Sequence, residues 1–259
     1  MILLRFLLSG ENVNMSEKKT AVITGASSGL GRAMARKFRN SGYYVVAVSR
    51  KAPEDGVCDR HIAADLTDRE SLEAAAQEIL KLETVDVFVN NAGIGAYAKW
   101  DELCEEDLRR LMELDFFAPV LLIKKILPVL RAGRGIVVNI SSAAGLLPVA
   151  CMGAYSAAKA ALRMFSDTLK VEERDIHVVT VFPGRISTGF GSRACGCREV
   201  PNTPSHGSET PEALAEQVYK ACCRKSRKVI YPYWYRFVIS LMLKFPSIYE
   251  KGSRKVWKI

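Results

Sequence analysis

A tyrosine and a lysine four positions apart, Tyr155 and Lys159, have a spacing suited to acid–base chemistry. In a helix, residues i and i+4 lie on one face, one turn apart. A free phenol has a pKa of about 10 and exchanges protons poorly at neutral pH. A neighbouring ammonium lowers that pKa, so the pair predicts a general acid or base. Ser141 and Ser142 end the preceding predicted strand and offer hydroxyl groups to a substrate oxygen.

The first predicted strand ends in a glycine-rich turn, Thr24-Gly25-Ala26-Ser27-Ser28-Gly29-Leu30-Gly31, which leads into a helix. Glycines in such a turn let the backbone approach a pyrophosphate, which then binds the free N–H groups of the helix N-terminus. A strand, a glycine-rich turn and a helix in this order indicate a dinucleotide site. The spacing GxxxGxG differs from the common GxGxxG.

The end of the second predicted strand carries Ser49-Arg50-Lys51, where dinucleotide-binding folds often carry a ribose-binding acid. A carboxylate there would repel a 2′-phosphate, whereas Arg50 can pair with it by charge-assisted hydrogen bonds. The sequence therefore favours NADP(H), with NAD(H) as the second possibility.

Strands and helices alternate along the chain, which predicts an α/β fold: one doubly wound parallel sheet with helices on both faces. The predicted strands are Thr20–Thr24, Tyr43–Val48, His61–Ala63, Val85–Val89, Gly135–Ile140 and Ile176–Phe182. The predicted helices are Leu30–Asn40, Asp68–Leu82, one from Glu105 past Pro119 towards Pro128 with a kink or break near the prolines, Gly153–Glu173, and one from Pro211. Residues 189–211 are predicted to form a flexible loop.

The net charge of +9 belongs to the C-terminal end of the chain. Residues 1–219 have a net charge of −1, while residues 220–259 hold 11 basic side chains and one acidic one. A basic groove across the main domain is therefore excluded, and no nucleic-acid recognition module is present.

The seven cysteines form no CxxC pair, which favours reduced thiols in the cytoplasm. The three histidines have no metal-site spacing, so no metal is expected.

The two ends of the chain differ from its centre. Residues 229–259 combine aromatic, aliphatic and basic side chains, and their apolar run Phe237–Leu243 is far shorter than the roughly 20 residues that span a bilayer. An interfacial membrane helix and a helix that covers the substrate cleft or a subunit interface both fit this pattern.

Residues 1–17 are interpreted as a disordered extension or a start-site artefact, since Met15 begins the segment MSEKK just before the first strand. A weak interfacial anchor is the alternative.

In combination, these motifs resemble the short-chain dehydrogenase/reductase family. The resemblance runs from about Thr20 to Thr188, with a looser match to about Tyr231. The family's motifs TGxxxGxG, the acid after the third strand, NNAG, YxxxK and PGxIxT occur here in order as Thr24–Gly31, Asp65-Leu66, Asn90–Gly93, Tyr155–Lys159 and Pro183–Thr188.

The resemblance implies a role for each matching residue. Tyr155 exchanges a proton with the substrate oxygen, and Lys159 lowers the tyrosine pKa and binds the nicotinamide ribose. The family's serine lies thirteen residues before the tyrosine, which selects Ser142 over Ser141 to orient the carbonyl. Ile186 and Thr188 hold the carboxamide. The full set of implied cofactor-binding residues is Gly25, Ser27, Ser28, Gly29, Leu30, Gly31, Arg50, Asp65, Leu66, Asn91, Ala92, Gly93, Tyr155, Lys159, Pro183, Gly184, Ile186 and Thr188.

One position departs from the family pattern. Asp115 stands where the family usually has an asparagine that supports a water linked to the lysine. The carboxylate can accept a hydrogen bond from water or Lys159, but it cannot donate one. Its negative charge would weaken the effect of the ammonium on Tyr155. We include Asp115 among the catalytic residues as the one whose part in proton transfer is open.

The expected protein has a Rossmann-type catalytic domain over residues 18–231 and a basic aromatic tail over residues 232–259. The expected function is NADPH-dependent reduction of an apolar ketone or aldehyde of lipid, steroid or acyl type. An NAD-linked alcohol or hydroxysteroid dehydrogenase and a non-catalytic, membrane-associated cofactor-binding protein are the alternatives. The resemblance also implies a homodimer or homotetramer through the long helices near 105–130 and 153–173. Peripheral membrane contact is expected through residues 229–259.

Overall fold

Seven parallel strands form the sheet, in a computed structural model that describes residues 18–199 and 209–257. The strands are β1 Thr20–Thr24, β2 Tyr44–Ser49, β3 Arg60–Ala63, β4 Val87–Asn90, β5 Ile136–Ile140, β6 His177–Pro183 and β7 Lys228–Tyr231. Their order in the sheet is β3-β2-β1-β4-β5-β6-β7, and each neighbouring pair is parallel. The predicted doubly wound α/β fold is confirmed.

Helices cover both faces of this sheet. They are α1 Gly29–Asn40, α2 Arg69–Leu80, α3 Glu105–Met112, α4 Ala118–Ala132, α5 Gly153–Glu172, α6 Pro211–Cys223, α7 Tyr235–Lys244 and α8 Pro246–Trp257. On one face, α2, α4 and α5 pack into an apolar core; on the other, α1 and α6 form a second core. In β1, Val22 enters the first core, while Ala21 and Ile23 enter the second, because successive strand residues point to opposite faces.

The helix predicted from Glu105 is interrupted before Pro119. The segment Glu113–Phe117 between α3 and α4 is a π-helical turn in which the Ala118 N–H donates to the Glu113 carbonyl five residues back. Pro119 has no N–H to donate to the carbonyl four residues before it, which favours this change of register. The kink or break expected near the prolines thus lies before Pro119, while α4 accommodates the exposed Pro128 and continues to Ala132.

Strand β7 was not anticipated from the sequence, because its four residues lie beside lysine, arginine and proline. It pairs with β6 and extends the sheet to the start of the tail. The tail then forms α7 and α8, and no helix in the described part of the chain is long and apolar enough to cross a membrane. The loop predicted over 189–211 contains a short 3₁₀ turn, Gly191–Arg193. The predicted extension 1–17 and residues 200–208 of the loop lie outside the described residues.

Candidate active site

The predicted site residues converge at the carboxyl edge of the sheet. The order of the strands reverses between β1 and β4, and in open parallel sheets ligands bind at the carboxyl ends of the strands beside such a reversal. The glycine-rich turn follows β1, the Asn90–Gly93 turn follows β4, Ser141 and Ser142 follow β5, and the Pro183–Thr188 segment begins at the end of β6.

The glycine-rich turn is packed so closely that two of its glycines, Gly25 and Gly31, have no room for a side chain. A Cβ on Gly31 would lie 2.2 Å from the Gly25 carbonyl oxygen, and Gly25 itself has a φ of +66° with the Ala92 backbone 2.9 Å from its Cβ position. Gly29 has a φ of +52° and begins α1, whose first turn holds no acidic residue. This cradle of backbone at a helix N-terminus fits the pyrophosphate of a dinucleotide.

The turn after β4 is tied to the glycine-rich turn by Thr24. The Thr24 hydroxyl accepts hydrogen bonds from the backbone N–H groups of Asn91 at 2.9 Å and Ala92 at 3.0 Å. The Asn91 side-chain amide in turn donates to the Thr24 carbonyl at 2.9 Å. Asn91 and Ala92 are thereby fixed beside the cradle, and Gly93 packs against the Asp115 carboxylate.

The two adjacent serines after β5 have different surroundings. The Ser141 hydroxyl is buried and donates to the Lys159 backbone carbonyl at 2.9 Å, which ties the strand to α5. The Ser142 hydroxyl accepts from the Ala144 N–H at 3.1 Å and is hydrogen-bonded to Tyr155. Ser142, the residue that the resemblance selected, is therefore the serine that contacts the tyrosine.

Lys159 is held in place by a buried ion pair. Its ammonium lies 3.1 Å from Asp115 Oδ2 and donates to the Ile140 carbonyl at 3.1 Å. Asp115 Oδ1 accepts from the Ile94 N–H at 2.8 Å, so the carboxylate joins the turn after β4 to the lysine on α5. Asp115 is fully buried in the π-helical turn. Asp115 was predicted to accept a hydrogen bond from water or from Lys159, and it pairs directly with Lys159.

The pKa of Tyr155 is raised, opposite to the direction predicted from the lysine alone. Burial is the main cause, and the Asp115 carboxylate adds to it, while the hydrogen bond with Ser142 lowers the pKa. Burial also raises the pKa of Asp115, and the Lys159 ammonium opposes that shift. The phenol of Tyr155 is therefore protonated at neutral pH, as a free phenol also is.

The side chains after β2 and β3 form the expected adenosine end of the site. Arg50 is exposed, and its guanidinium lies 3.9 Å from Asp65 Oδ2. Asp65 Oδ1 accepts from the backbone N–H of Thr67 at 3.0 Å and from its hydroxyl at 2.7 Å. Burial raises the pKa of Asp65, but the Thr67 hydrogen bonds and Arg50 outweigh it and the net pKa is lowered. Leu66 is buried in the core under this end.

The Pro183–Thr188 segment after β6 lines the side of the site opposite the adenosine end. Thr188 lies against Gly29, with its Cβ 3.1 Å from the Cβ position of that glycine. The Gly184 N–H donates to the Tyr231 carbonyl at 2.6 Å, and a Cβ on Gly184 would meet the Tyr235 ring at 2.7 Å. Ile186 packs against the core formed with α1 and α6. The glycine-rich turn and the Pro183–Thr188 segment thus face each other.

The structure adds residues that the sequence reasoning missed. Arg193, in the 3₁₀ turn, donates to the Ser28 hydroxyl at 2.7 Å and joins the loop to the glycine-rich turn. The Phe190 ring lies 5.9 Å from the Tyr155 ring, and Tyr97 is close enough to raise the Tyr155 pKa. Nothing in their spacing marked these side chains, because each reaches the site from a loop.

The surroundings of Tyr155 on the substrate side are apolar. Its neighbours in a buried cluster are aliphatic or aromatic: Ala96, Leu111, Ala144, Ala154 and Ala158, with Ile94, Leu103, Leu108, Met112, Val149, Met152, Phe190 and Cys195 at the edge. No group of metal-ligating side chains occurs in the described part of the chain. The site therefore offers one proton-exchanging phenol in an apolar setting.

A comparison with protein families matches residues 19–194 to the short chain dehydrogenase model. The chain belongs to the short-chain dehydrogenase/reductase family. Members of the family act on CH–OH and C=O groups with NAD(P)(H), and this chain is such a dehydrogenase/reductase.

Individual relatives agree with this assignment. The chain is 36% identical over 173 residues to the 3-ketodihydrosphingosine reductase of Bacteroides thetaiotaomicron, over 65% of this chain and 64% of that protein, slightly less than two thirds of its length. It is 34% identical to dehydrogenase/reductase SDR family member 7B of Bos taurus, over 81% of this chain and 72% of that protein. A short-chain dehydrogenase from Sphingobium yanoikuyae, solved in complex with NADPH, superposes with a TM-score of 0.76 at 26% identity over 88% of this chain and 95% of that one.

Proposed function

We propose that this enzyme is an NADPH-dependent carbonyl reductase that converts an apolar ketone or aldehyde into an alcohol. The observation that carries the proposal is the placement of Tyr155, which is buried in an apolar cluster, hydrogen-bonded with Ser142 and one helical turn from Lys159; burial raises its pKa, so the phenol is protonated at neutral pH. A protonated phenol serves reduction, in which the carbonyl oxygen must gain a proton. Alcohol oxidation would need the phenolate, which burial and Asp115 disfavour.

In this proposal, Tyr155 and Ser142 act on the same substrate oxygen. The Ser142 hydroxyl orients the carbonyl by a hydrogen bond, and the Tyr155 hydroxyl donates its proton to the oxygen as the alcohol forms. The nicotinamide cofactor, when bound, supplies the hydride to the carbonyl carbon. Lys159, fixed by Asp115 and the Ile140 carbonyl, holds the nicotinamide ribose. The protein thus contributes alignment and the proton.

The preference for NADPH is proposed from the charges after β2. Arg50 is two-thirds exposed and its contact with Asp65 is long, so the guanidinium can turn towards a 2′-phosphate without breaking a short ion pair. Lys51 adds a second positive charge beside it. The NADPH complex of the Sphingobium yanoikuyae relative supports this choice.

An apolar substrate is proposed from the walls beside Tyr155. Phe190 and Tyr97 flank the phenol, and Tyr155 packs in a cluster of apolar side chains. A long-chain or polycyclic carbonyl compound would bury its hydrocarbon there, with about 25 cal/mol gained per Å² of apolar surface removed from water. The name of the Bacteroides thetaiotaomicron relative, a 3-ketodihydrosphingosine reductase, supports a lipid-type ketone.

A panel of ketones and aldehydes of increasing chain length, assayed with NADPH and with NADH, tests this function. We expect turnover that rises with apolar size and lower KM with NADPH. Arg50→Gln should raise the KM for NADPH about 10- to 100-fold while leaving that for NADH unchanged. Tyr155→Phe should lower kcat by about 100-fold or more, because the phenol that donates the proton is lost.

Tyr43→Phe is the matched control, because Tyr43 packs against Phe38 and Tyr219 away from the site. Absence of turnover on the whole panel, or equal turnover by Tyr155→Phe, would overturn the catalytic proposal. Tighter binding of NADH than of NADPH would overturn the cofactor proposal and favour an NAD-linked dehydrogenase.

We also propose that the enzyme is a homodimer or homotetramer through α3, α4 and α5. Apolar side chains are exposed on α5, where Met164 lies, and in the π-helical turn between α3 and α4, which ends at Phe117. Sedimentation equilibrium of the wild type and of Phe117→Glu tests this, with a monomeric wild type as the contrary result.

A further inference from the structure

The two C-terminal helices expose an apolar surface on α7 and a basic surface on α8. On α7, the buried Ile239 faces the protein, whereas Phe237 and Leu241 are 75% and 61% exposed. These two residues are four positions apart and therefore adjacent on the outer side of the helix. Tyr233 precedes them by one turn and is 67% exposed. A contiguous aromatic and aliphatic strip on a helix surface marks an interaction site.

The outer face of α8 is positively charged. Tyr249, Ser253 and Trp257 recur every four residues and are the partly buried side of this helix. Lys251 and Lys255 lie on the opposite, exposed side, and Ile248 is next to them at 70% exposure. Residues 233–257 hold five basic side chains and one acidic one, Glu250.

We propose that α7 and α8 form a docking surface for an anionic lipid bilayer. The apolar strip on α7 can enter the boundary between headgroups and acyl chains, and the lysines on α8 can meet acidic headgroups, which are the two contributions to interfacial membrane binding. The net positive charge of the two helices favours an anionic bilayer over a second copy of the chain as the occupant of this surface. A second copy of the chain would bring the same excess of positive charge to the contact, whereas an anionic bilayer neutralises it.

The docking surface is also connected to the active site. Trp257 stacks on Tyr97 with ring centroids 6.0 Å apart, and the Tyr249 hydroxyl donates to the Pro148 carbonyl. Tyr97 is one of the groups that raise the pKa of Tyr155. The helices that face the bilayer therefore contact the wall of the substrate site, and an apolar substrate dissolved in the lipid would enter beside them. This last step rests on the proposed function; the docking surface does not.

Flotation of the full-length protein with vesicles tests the docking surface without any activity assay. We expect binding to vesicles of phosphatidylcholine mixed with phosphatidylglycerol, weaker binding to phosphatidylcholine alone, and a decrease with added salt. Lys251→Gln/Lys255→Gln should lower the partition coefficient on anionic vesicles about thirtyfold. Phe237→Ser/Leu241→Ser should lower it about tenfold or more, because less apolar surface is buried.

The matched control is Lys18→Gln/Lys81→Gln, which removes two exposed lysines elsewhere and should bind as the wild type does. Unchanged urea midpoints show that the variants fold. Absence of wild-type flotation, or equal binding to both kinds of vesicle, would overturn the proposal. If the Phe237→Ser/Leu241→Ser variant instead changes the sedimentation coefficient and vesicle binding is unaffected, the surface is a contact between copies and the proposal is wrong.

Turnover then separates the two claims. If the proposed function also holds, the docking variants should lose turnover of a long-chain ketone embedded in anionic vesicles and retain that of a short soluble ketone. If neither substrate is turned over while vesicle binding is intact, the proposed function is contradicted and the docking proposal is unaffected.

Discussion

The ammonium of Lys159 lies 3.1 Å from the carboxylate of Asp115, and both groups are buried. The family pattern has an uncharged amide at the position of Asp115, so this chain places a negative charge next to the lysine that assists the tyrosine. The carboxylate positions Lys159 and raises the pKa of Tyr155 at the same time. It thereby favours the protonated phenol that carbonyl reduction needs.

Replacement of that carboxylate should shift the pH dependence of alcohol oxidation to lower pH. In Asp115→Asn, the amide oxygen can still accept from the Ile94 N–H, but the charge that raises the Tyr155 pKa is gone. The pKa of Tyr155 should therefore fall, and its phenolate should form at lower pH. The pH dependence of kcat/KM for alcohol oxidation should shift to lower pH in the same direction. Reduction near neutral pH, which uses the phenol, should change little.

Glu113→Gln, in the same π-helical turn, is the control for the loss of one carboxylate. If Asp115→Asn instead lowers kcat/KM for both oxidation and reduction at every pH, the Asp115 carboxylate itself takes part in proton transfer.

The hydrogen bond from Arg193 to Ser28 should contribute to cofactor affinity. Arg193 brings a positive charge to the glycine-rich turn, where the pyrophosphate is expected. Arg193→Ala should raise the Kd for NADPH about three- to tenfold, measured by calorimetry, and Arg193→Lys should restore part of the affinity. Arg174→Ala, just beyond the far end of α5, should leave the Kd unchanged. Equal affinities for all three variants would contradict this role.

A buried polar chain fixes α5, the helix that bears Tyr155 and Lys159. The Asn90 amide donates to Asn139 Oδ1, and the Asn139 amide donates to Ser166 Oγ, both at 2.8 Å. Ser166→Ala should leave that second amide unpaired and lower the free energy of unfolding by about 1–3 kcal/mol, seen as a lower urea midpoint. The exposed Ser240→Ala should change it by less than about 0.5 kcal/mol. Equal effects at the two positions would mean that a water molecule takes the place of the hydroxyl.

Two glycine-to-alanine substitutions should change the stability of the protein in opposite directions. Gly31→Ala places a Cβ 2.2 Å from the Gly25 carbonyl, so the turn must move and NADPH binding should weaken about tenfold or more, with about 1–3 kcal/mol of destabilisation. Gly252, in α8, has no heavy atom within 4 Å of its Cβ position. Gly252→Ala should therefore stabilise that helix by about 0.5–1 kcal/mol. Thermal unfolding and NADPH titration of both variants check the pair.

The features that depend on neighbours in sequence were predictable. The alternation of strands and helices, the glycine-rich turn, and Tyr155 with Lys159 on one helix face each follow from local spacing. The interruption before Pro119 was also foreseeable in kind, since proline lacks an N–H. Short strand β7 was not, because four residues carry too little pattern until β6 offers its edge.

The amino-acid sequence by itself determined the fold, the family and the candidate site residues, because these reside in short motifs. Only the tertiary structure decided what those side chains contact. It turned Ser141 into a support for α5 and placed Ser142 on Tyr155; it paired Lys159 with Asp115 across 44 residues; and it stacked Trp257 on Tyr97, next to the active site. Burial and charge proximity set the direction of the Tyr155 pKa, and both arise only when distant segments pack together.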